Sequence, residues 1–281
     1  MESPRPLVAF CPPATRPFRR ANACLVKAIV IGAGRGSRLR HLTEEIPKTL
    51  VPVLGRPMLD SILDALAAGG FSRKDVVFIC GYKAEVIRER YPDLHYVENK
   101  NWERNNILAS LLCAREFLEE GFVSTYADIV YRPETVAELV KAPWDITLAC
   151  DTDWRRRYHG RSQHPETDAE KMRADERQVV ELSRRIASEQ AAGEFIGVMK
   201  LSAQGASSFI RAFDEAKIAH PEGEFREGRT FEKAYLIDLL QHMLERGEVM
   251  HRVDTHGGYM EIDTLQDAAL AETWWAGKAG G

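Results

Sequence analysis

The chain has 281 residues, 44 % of them hydrophobic and 28 % charged, enough for one large α/β core with or without an added lobe. Its net charge of −4 argues against general nucleic-acid binding, which more often needs a basic excess. No apolar run approaches the ~18 residues of a membrane span, so neither nucleic acid nor membrane is expected as a partner.

Residues 1–24 are rich in proline and arginine, with Glu2 as their single acid and no apolar signal core. They read as a flexible N-terminal extension. "KAIVI" (27–31) is a short apolar run ending at glycines, as a buried parallel strand does. Residues 56–70 predict a helix, with Pro57 at its first turn, an apolar stripe through Ile62 and Leu66, and Gly69-Gly70 at its end. Strands are predicted at 75–80 and 94–99 around a short helix at 83–90. A longer helix at 105–121, a strand at 122–128, a helix at 133–140 and a strand at 145–150 follow. This alternation predicts a doubly wound, Rossmann-like sheet.

After Cys150 the pattern breaks. Residues 151–177 are polar and without period, and a loop this long is usually functional. Strands at 179–183 and 194–202, helices near 203–218 and 230–246, strands at 248–255 and 258–263 and a helix at 264–275 complete the chain. The expected organisation is one domain over 25–276, with an inserted acceptor lobe and a flexible tail at 277–281. The five cysteines show no CxxC pair or Cys/His ligand spacing and read as reduced thiols of a cytoplasmic protein.

The stretch with most chemistry is "AIVIGAGRGSRLRHLTEEIPKTLVPV" (28–53). Glycines at 32, 34 and 36 let the backbone approach a ligand without Cβ clashes, and their N–H groups can converge on phosphate oxygens. Arg35, Arg38 and Lys48 supply cations. A P-loop needs GxxxxGK[ST], which is absent. A dinucleotide turn needs GxGxxG, and Ser37 stands where the third glycine belongs. The order that does match is a strand, then GxGxGSRL over Gly32–Leu39, then Pro47-Lys48 before a second apolar run.

On these residues the chain resembles the nucleotidyltransferase superfamily, which joins NTPs to phosphorylated small molecules. Within it the chain is similar to the small cytidylyltransferases of the phosphocholine and phosphonate type, through "NNILASLL", "TYADIVY", "HPETDAEKM", "EFIGVMKL" and "YMEIDTLQD". The resemblance implies a nucleotide-diphospho-sugar transferase-like fold, CTP as donor, a small phosphonate or phosphorylated acceptor, and Mg²⁺ as cofactor. It implies a nucleotide site at Gly32, Ala33, Gly34, Arg35, Gly36, Ser37, Gly81, Tyr82, Asn106 and Ser110.

Asp128 and Asp263 each end an apolar strand, so both should stand at the carboxyl edge of the sheet, where α/β ligands bind. The resemblance assigns both to Mg²⁺, with Glu261 as a further candidate; helix or turn capping is the other reading of the two aspartates. Asn105 and Asn106 likewise suit either a base edge or a helix cap. No Ser-His-Asp or HExxH pattern supplies a general base, and none is needed. A phospho oxygen is already ionised at neutral pH, so alignment and charge stabilisation suffice. Arg38 and Lys48 would steady charge at the α-phosphorus, and Lys171 matches a family lysine expected near the reacting phosphate.

For the acceptor, the 151–177 segment offers Trp154, Arg157, Tyr158, Arg161 and His164, and Glu194 stands further on. The cations suit an anionic acceptor, whereas Trp154 and Tyr158 could enclose a quaternary ammonium; a solvated charge run is the plain alternative. The function expected is transfer of CMP to a phosphonate or phosphate oxygen. A sugar-1-phosphate nucleotidyltransferase and a non-catalytic nucleotide sensor are the rivals. The sequence leaves the oligomeric state open, a homodimer among the options.

Overall fold

Residues Ala28–Ile31 are almost wholly buried in β1 (Lys27–Ile31), which lies between two parallel neighbours; a strand covered on both faces reads as a continuous apolar run. The computed structural model describes residues 26–276, so the extension expected at 1–24 and the tail expected at 277–281 lie outside the described residues. After β1 come β2 (Pro52–Val53), β3 (Arg56–Pro57), α1 (Met58–Ala68), β4 (Val76–Cys80), α2 (Ala84–Arg90), β5 (His95–Glu98), α3 (Ile107–Cys113) and β6 (Gly121–Tyr126). The second half holds β7 (Ile129–Tyr131), α4 (Glu134–Lys141), β8 (Ile146–Asp151), α5 (Arg155–Tyr158), β9 (Lys171–Asp175), β10 (Gln178–Leu182) and β11 (Gly193–Ser202). It ends with α6 (Ala203–Ala219), α7 (Leu236–Glu245), β12 (Met250–Thr255), β13 (Tyr259–Glu261) and α8 (Leu265–Ala276).

The main sheet has nine strands in the order β5-β4-β1-β6-β11-β8-β12-β10-β9. Its first half is parallel, while β11 runs antiparallel to both β6 and β8, so the sheet is the mixed, Rossmann-like one expected. At the far end β9 also pairs with β11, so β11, β8, β12, β10 and β9 close into a ring. Helix α1 buries Met58, Leu59, Ile62, Leu63 and Leu66, each worth about 1.5–3 kcal/mol relative to exposure.

Three elements differ from expectation, one being the helix expected near 230–246, which is α-helical only over Leu236–Glu245 after a 3-10 turn at Phe231–Lys233. The predicted helix at 105–121 ends as an α-helix at Cys113 and continues as a 3-10 turn, Arg115–Phe117. The stretch at 151–177 is no structureless loop: it holds α5 and β9, because its buried groups find partners only in the folded ring. Among the described residues no helix is long and apolar enough to cross a membrane.

Candidate active site

The chain leaves β1 into the glycine turn. A Cβ on Gly32 would lie 2.5 Å from Cζ of Phe78 and 2.8 Å from Cβ of Ala127, so only glycine fits under the turn. Gly36 has φ 70° and would meet Lys48 Cδ at 2.7 Å, so its left-handed backbone lies directly over the lysine stem. Gly32, Ala33, Gly34, Gly36, Ser37 and Arg38 line a cleft of about 300 Å³.

Gly81 and Tyr82 do not line it. A Cβ on Gly81 would meet the Ala33 carbonyl oxygen at 2.6 Å, and the Tyr82 N–H donates to that same oxygen at 2.9 Å. The Tyr82 hydroxyl donates to the carbonyls of Thr43 and Glu44, and the Arg35 guanidinium rests 5.4 Å from its ring centroid. These three residues brace the turn from behind. The far wall of the cleft is Trp102, Asn105, Asn106, Ile107 and Ser110. Asn106 does cap α3, accepting from the Ile107 N–H at 2.9 Å. Asn99 donates through its amide to Asn105 and Ser110, both at 2.8 Å, so fixed amides and a hydroxyl face one end of the cleft.

At the other end the charges converge. Lys48 is only 8 % exposed; its Nζ lies 2.7 Å from Asp128 and also bonds Asp263. Arg38, more exposed, pairs with Asp263 from the rim. Asp128 and Asp263 meet because β13 pairs antiparallel with β7 and the Ile262 N–H donates to the Asp128 carbonyl at 2.9 Å. Burial pushes Lys48 down, but Asp128, Asp263 and Glu261 outweigh it and hold the ammonium charged. Burial pushes the Asp263 carboxyl up, and Lys48 and Arg38 overcome it, holding it well below the usual carboxylate range. Glu261 is driven well above that range, by burial and by the neighbouring Asp263 and Asp128. Asp128 and Asp263, with Glu261 beside them, gather carboxyl oxygens at one point, the donor type a hard divalent cation takes. His164, Glu261 and Asp263 also bring ligand atoms within 4.8 Å of one another.

A second cavity, about 450 Å³, shares Arg38, Asn106, Ile107, Asp128 and Asp263 with the first. The two therefore abut at the carboxylates. Its separate walls are Tyr126, His164, Asp168, Glu170, Arg184, Tyr235 and Glu261.

Of the residues predicted to touch an acceptor, His164 lines this cavity and the others turn inward. Arg157 is 4 % exposed; it bonds Asp151 at 3.0 Å and Glu194 as well, and lies 4.2 Å from the Tyr259 ring centroid. The Tyr158 hydroxyl donates to Glu194 at 2.8 Å, and Trp154 packs on Tyr158 and Ala169. Arg161 pairs with Asp267 at 2.9 Å. Buried charges must be paired, so what reads as a basic acceptor run is the internal brace of the ring. Lys171 is also enclosed and donates to the Arg184 carbonyl, lining neither cavity. Sequence reasoning missed Trp102, Tyr126, Asp168, Glu170, Arg184 and Tyr235. Tyr126 lies inside "TYADIVY", and Asp168 and Glu170 inside "HPETDAEKM", so those segments carried a signal, whereas Trp102, Arg184 and Tyr235 have no motif around them.

The family model described as the MobA-like NTP transferase domain matches residues 28–215. CTP:phosphoglutamine cytidylyltransferase of Campylobacter jejuni is 26 % identical over 86 % of this chain and 97 % of its own length. The 2-aminoethylphosphonate cytidylyltransferase of Lancefieldella rimae is 36 % identical over 41 % of this chain and 48 % of that protein. Among solved structures, CTP:phosphocholine cytidylyltransferase from Streptococcus pneumoniae superposes with a TM-score of 0.66 at 23 % identity. That match covers 89 % of this chain and 99 % of the other, and it shows a shared fold.

Proposed function

The chain belongs to the MobA-like NTP transferase domain family and is a nucleotidyltransferase, and from that premise we propose that it transfers CMP from CTP to a phosphate or phosphonate oxygen of a small acceptor. The observation that carries the reading is the Lys48–Asp128–Asp263 cluster at the junction of two cavities. One cavity suits a nucleotide and the other an acceptor, with the charge needed for phosphoryl chemistry between them. The names of the relatives support CTP and a phospho acceptor.

In this reading the backbone of the Gly32–Ser37 turn holds the triphosphate, and Asn105, Asn106 and Ser110 face the base. An acceptor oxygen, already anionic, forms a bond to the α-phosphorus. The bond from that phosphorus to the bridging oxygen breaks, and pyrophosphate leaves with the electron pair. No proton has to be removed by the protein. Arg38 and Lys48 offset the charge that gathers on the phosphoryl oxygens. Asp128 and Asp263 would hold Mg²⁺, with Glu261 adjacent, and the ion when bound supplies further charge neutralisation on the phosphates. Asp267 keeps Asp263 in place by accepting its N–H at 3.1 Å and that of Thr264 at 2.9 Å.

The test is pyrophosphate release with each of CTP, UTP, dTTP and GTP against phosphocholine, 2-aminoethylphosphonate and glucose-1-phosphate. Turnover with CTP and a phospho acceptor is expected. Turnover only with glucose-1-phosphate would favour the sugar nucleotidyltransferase reading. Tight NTP binding with no turnover in any pair would favour a sensor.

A further inference from the structure

We propose that the acceptor taken by this site carries an aminocarboxylate head beyond its phospho group, with Arg184 pairing the carboxylate and Asp168 the ammonium. The inference rests on the nucleotidyl-transfer reading above and concerns the part of the second cavity that the nucleotide cleft does not share.

Arg184 is positioned and has donors to spare. Its guanidinium lies 4.1 Å from the ring centroid of Tyr235. The same ring also meets Arg229 at 4.4 Å, and Arg229 is itself held by Asp238 at 2.8 Å. Arg184 Nε is buried without a hydrogen-bond partner. Its nearest carboxylate, Glu170, stands 3.6 Å away, too far for a hydrogen bond, and the other Glu170 oxygen accepts from the Tyr126 hydroxyl at 3.1 Å. Burial lifts Glu170 to about 7, so at neutral pH it neutralises Arg184 only in part. A guanidinium held against a ring with donors to spare is a fork for a carboxylate. Asp168, half-buried in the same wall, forms no close salt bridge among the described residues, although its charge is felt by Arg184, and it supplies the opposite sign. One wall thus offers a cation and an anion together, the complement of an amino-acid head.

The same wall disfavours a quaternary ammonium, which needs open aromatic faces. Trp154 and Tyr158 are buried away from the cavity. The Tyr235 ring already carries Arg184 and Arg229. Tyr126 packs its ring against Phe195, with centroids 6.2 Å apart, and against Gly197, where a Cβ would meet it at 2.2 Å.

The test uses the full chain with CTP and Mg²⁺ and follows pyrophosphate release. The acceptors are 2-amino-4-phosphonobutyrate, its decarboxylated analogue 3-aminopropylphosphonate, its deaminated analogue 4-phosphonobutyrate, and phosphocholine. We expect kcat/KM for the aminocarboxylate to exceed each of the others by about tenfold or more, since a site built for a charged group rejects the analogue lacking it. Arg184→Met should collapse the preference over 3-aminopropylphosphonate and keep that over 4-phosphonobutyrate, and Asp168→Asn should do the reverse. Arg184→Lys, which keeps charge but not the fork, stands in if Arg184→Met does not fold. Phosphocholine or 3-aminopropylphosphonate matching the aminocarboxylate, or unchanged ratios in the variants, would overturn the inference and leave the cytidylyl-transfer reading standing. No release from any of the four with CTP, with release from glucose-1-phosphate and another NTP, would remove both.

Discussion

Lys48 Nζ lies 2.7 Å from the Asp128 carboxylate, although 80 residues separate them in the chain. The same ammonium bonds Asp263, so one cation joins the two acids.

Asp128→Ala should therefore lower kcat at least ~100-fold, the scale of losing a charge-stabilising group at a reacting centre, at every Mg²⁺ concentration. Its far-UV circular dichroism should match the parent. Normal activity in the variant would remove Asp128 from the metal site.

Arg157 bridges Asp151 and Glu194 inside the ring. Breaking a buried pair by removing one partner costs about 3–5 kcal/mol, because here it leaves two acids facing each other. Arg157→Met should lower unfolding free energy in urea by roughly that amount. A loss under ~1 kcal/mol would show that water reaches the pair.

Lys171 is enclosed and donates to the Arg184 carbonyl. Lys171→Met should raise the acceptor KM several-fold by loosening Arg184, with little change in CTP affinity measured by calorimetry. Loss of CTP affinity with unchanged acceptor kinetics would put the lysine in the nucleotide site instead.

Glu170 ionises near 7 in the folded chain rather than at its ordinary 4.5. The folded state then binds more protons than the unfolded one between those values, so this group's contribution to stability falls as pH rises from about 4.5 to 7 and levels off above. Glu170→Gln should flatten that part of the stability-pH curve relative to the parent in urea titrations at pH 5, 6 and 7.5. Parallel curves for the two proteins would show that Glu170 ionises normally.

The half of the site proposed to hold the nucleotide was legible because its signals are local. An apolar strand that ends in glycines states where the backbone turns, and an aspartate ending an apolar strand states which sheet edge it reaches; Gly32–Leu39, Asp128 and Asp263 obey that logic, and Lys48 was found through the Pro-Lys order that follows the turn. The supporting place of Gly81 and Tyr82 was not legible, since a turn that faces a ligand and a turn that backs one have the same composition.

The acceptor half depended on tertiary structure. Strand register sets Glu194 directly opposite Asp151, and like charges so placed repel unless a cation joins them; Arg157 does so, and Tyr158 follows it inward. Whether an arginine faces solvent, a ligand or a buried acid is decided by partners that strand pairing delivers from far along the chain. By itself the sequence determined the α/β architecture, the glycine turn and the acids at the strand ends, because apolar periodicity and glycine positions act over a few residues. Only the closed ring of β11, β8, β12, β10 and β9 decided which charges are spent inside the protein and which, like those of Arg184 and Asp168, are left to meet a ligand.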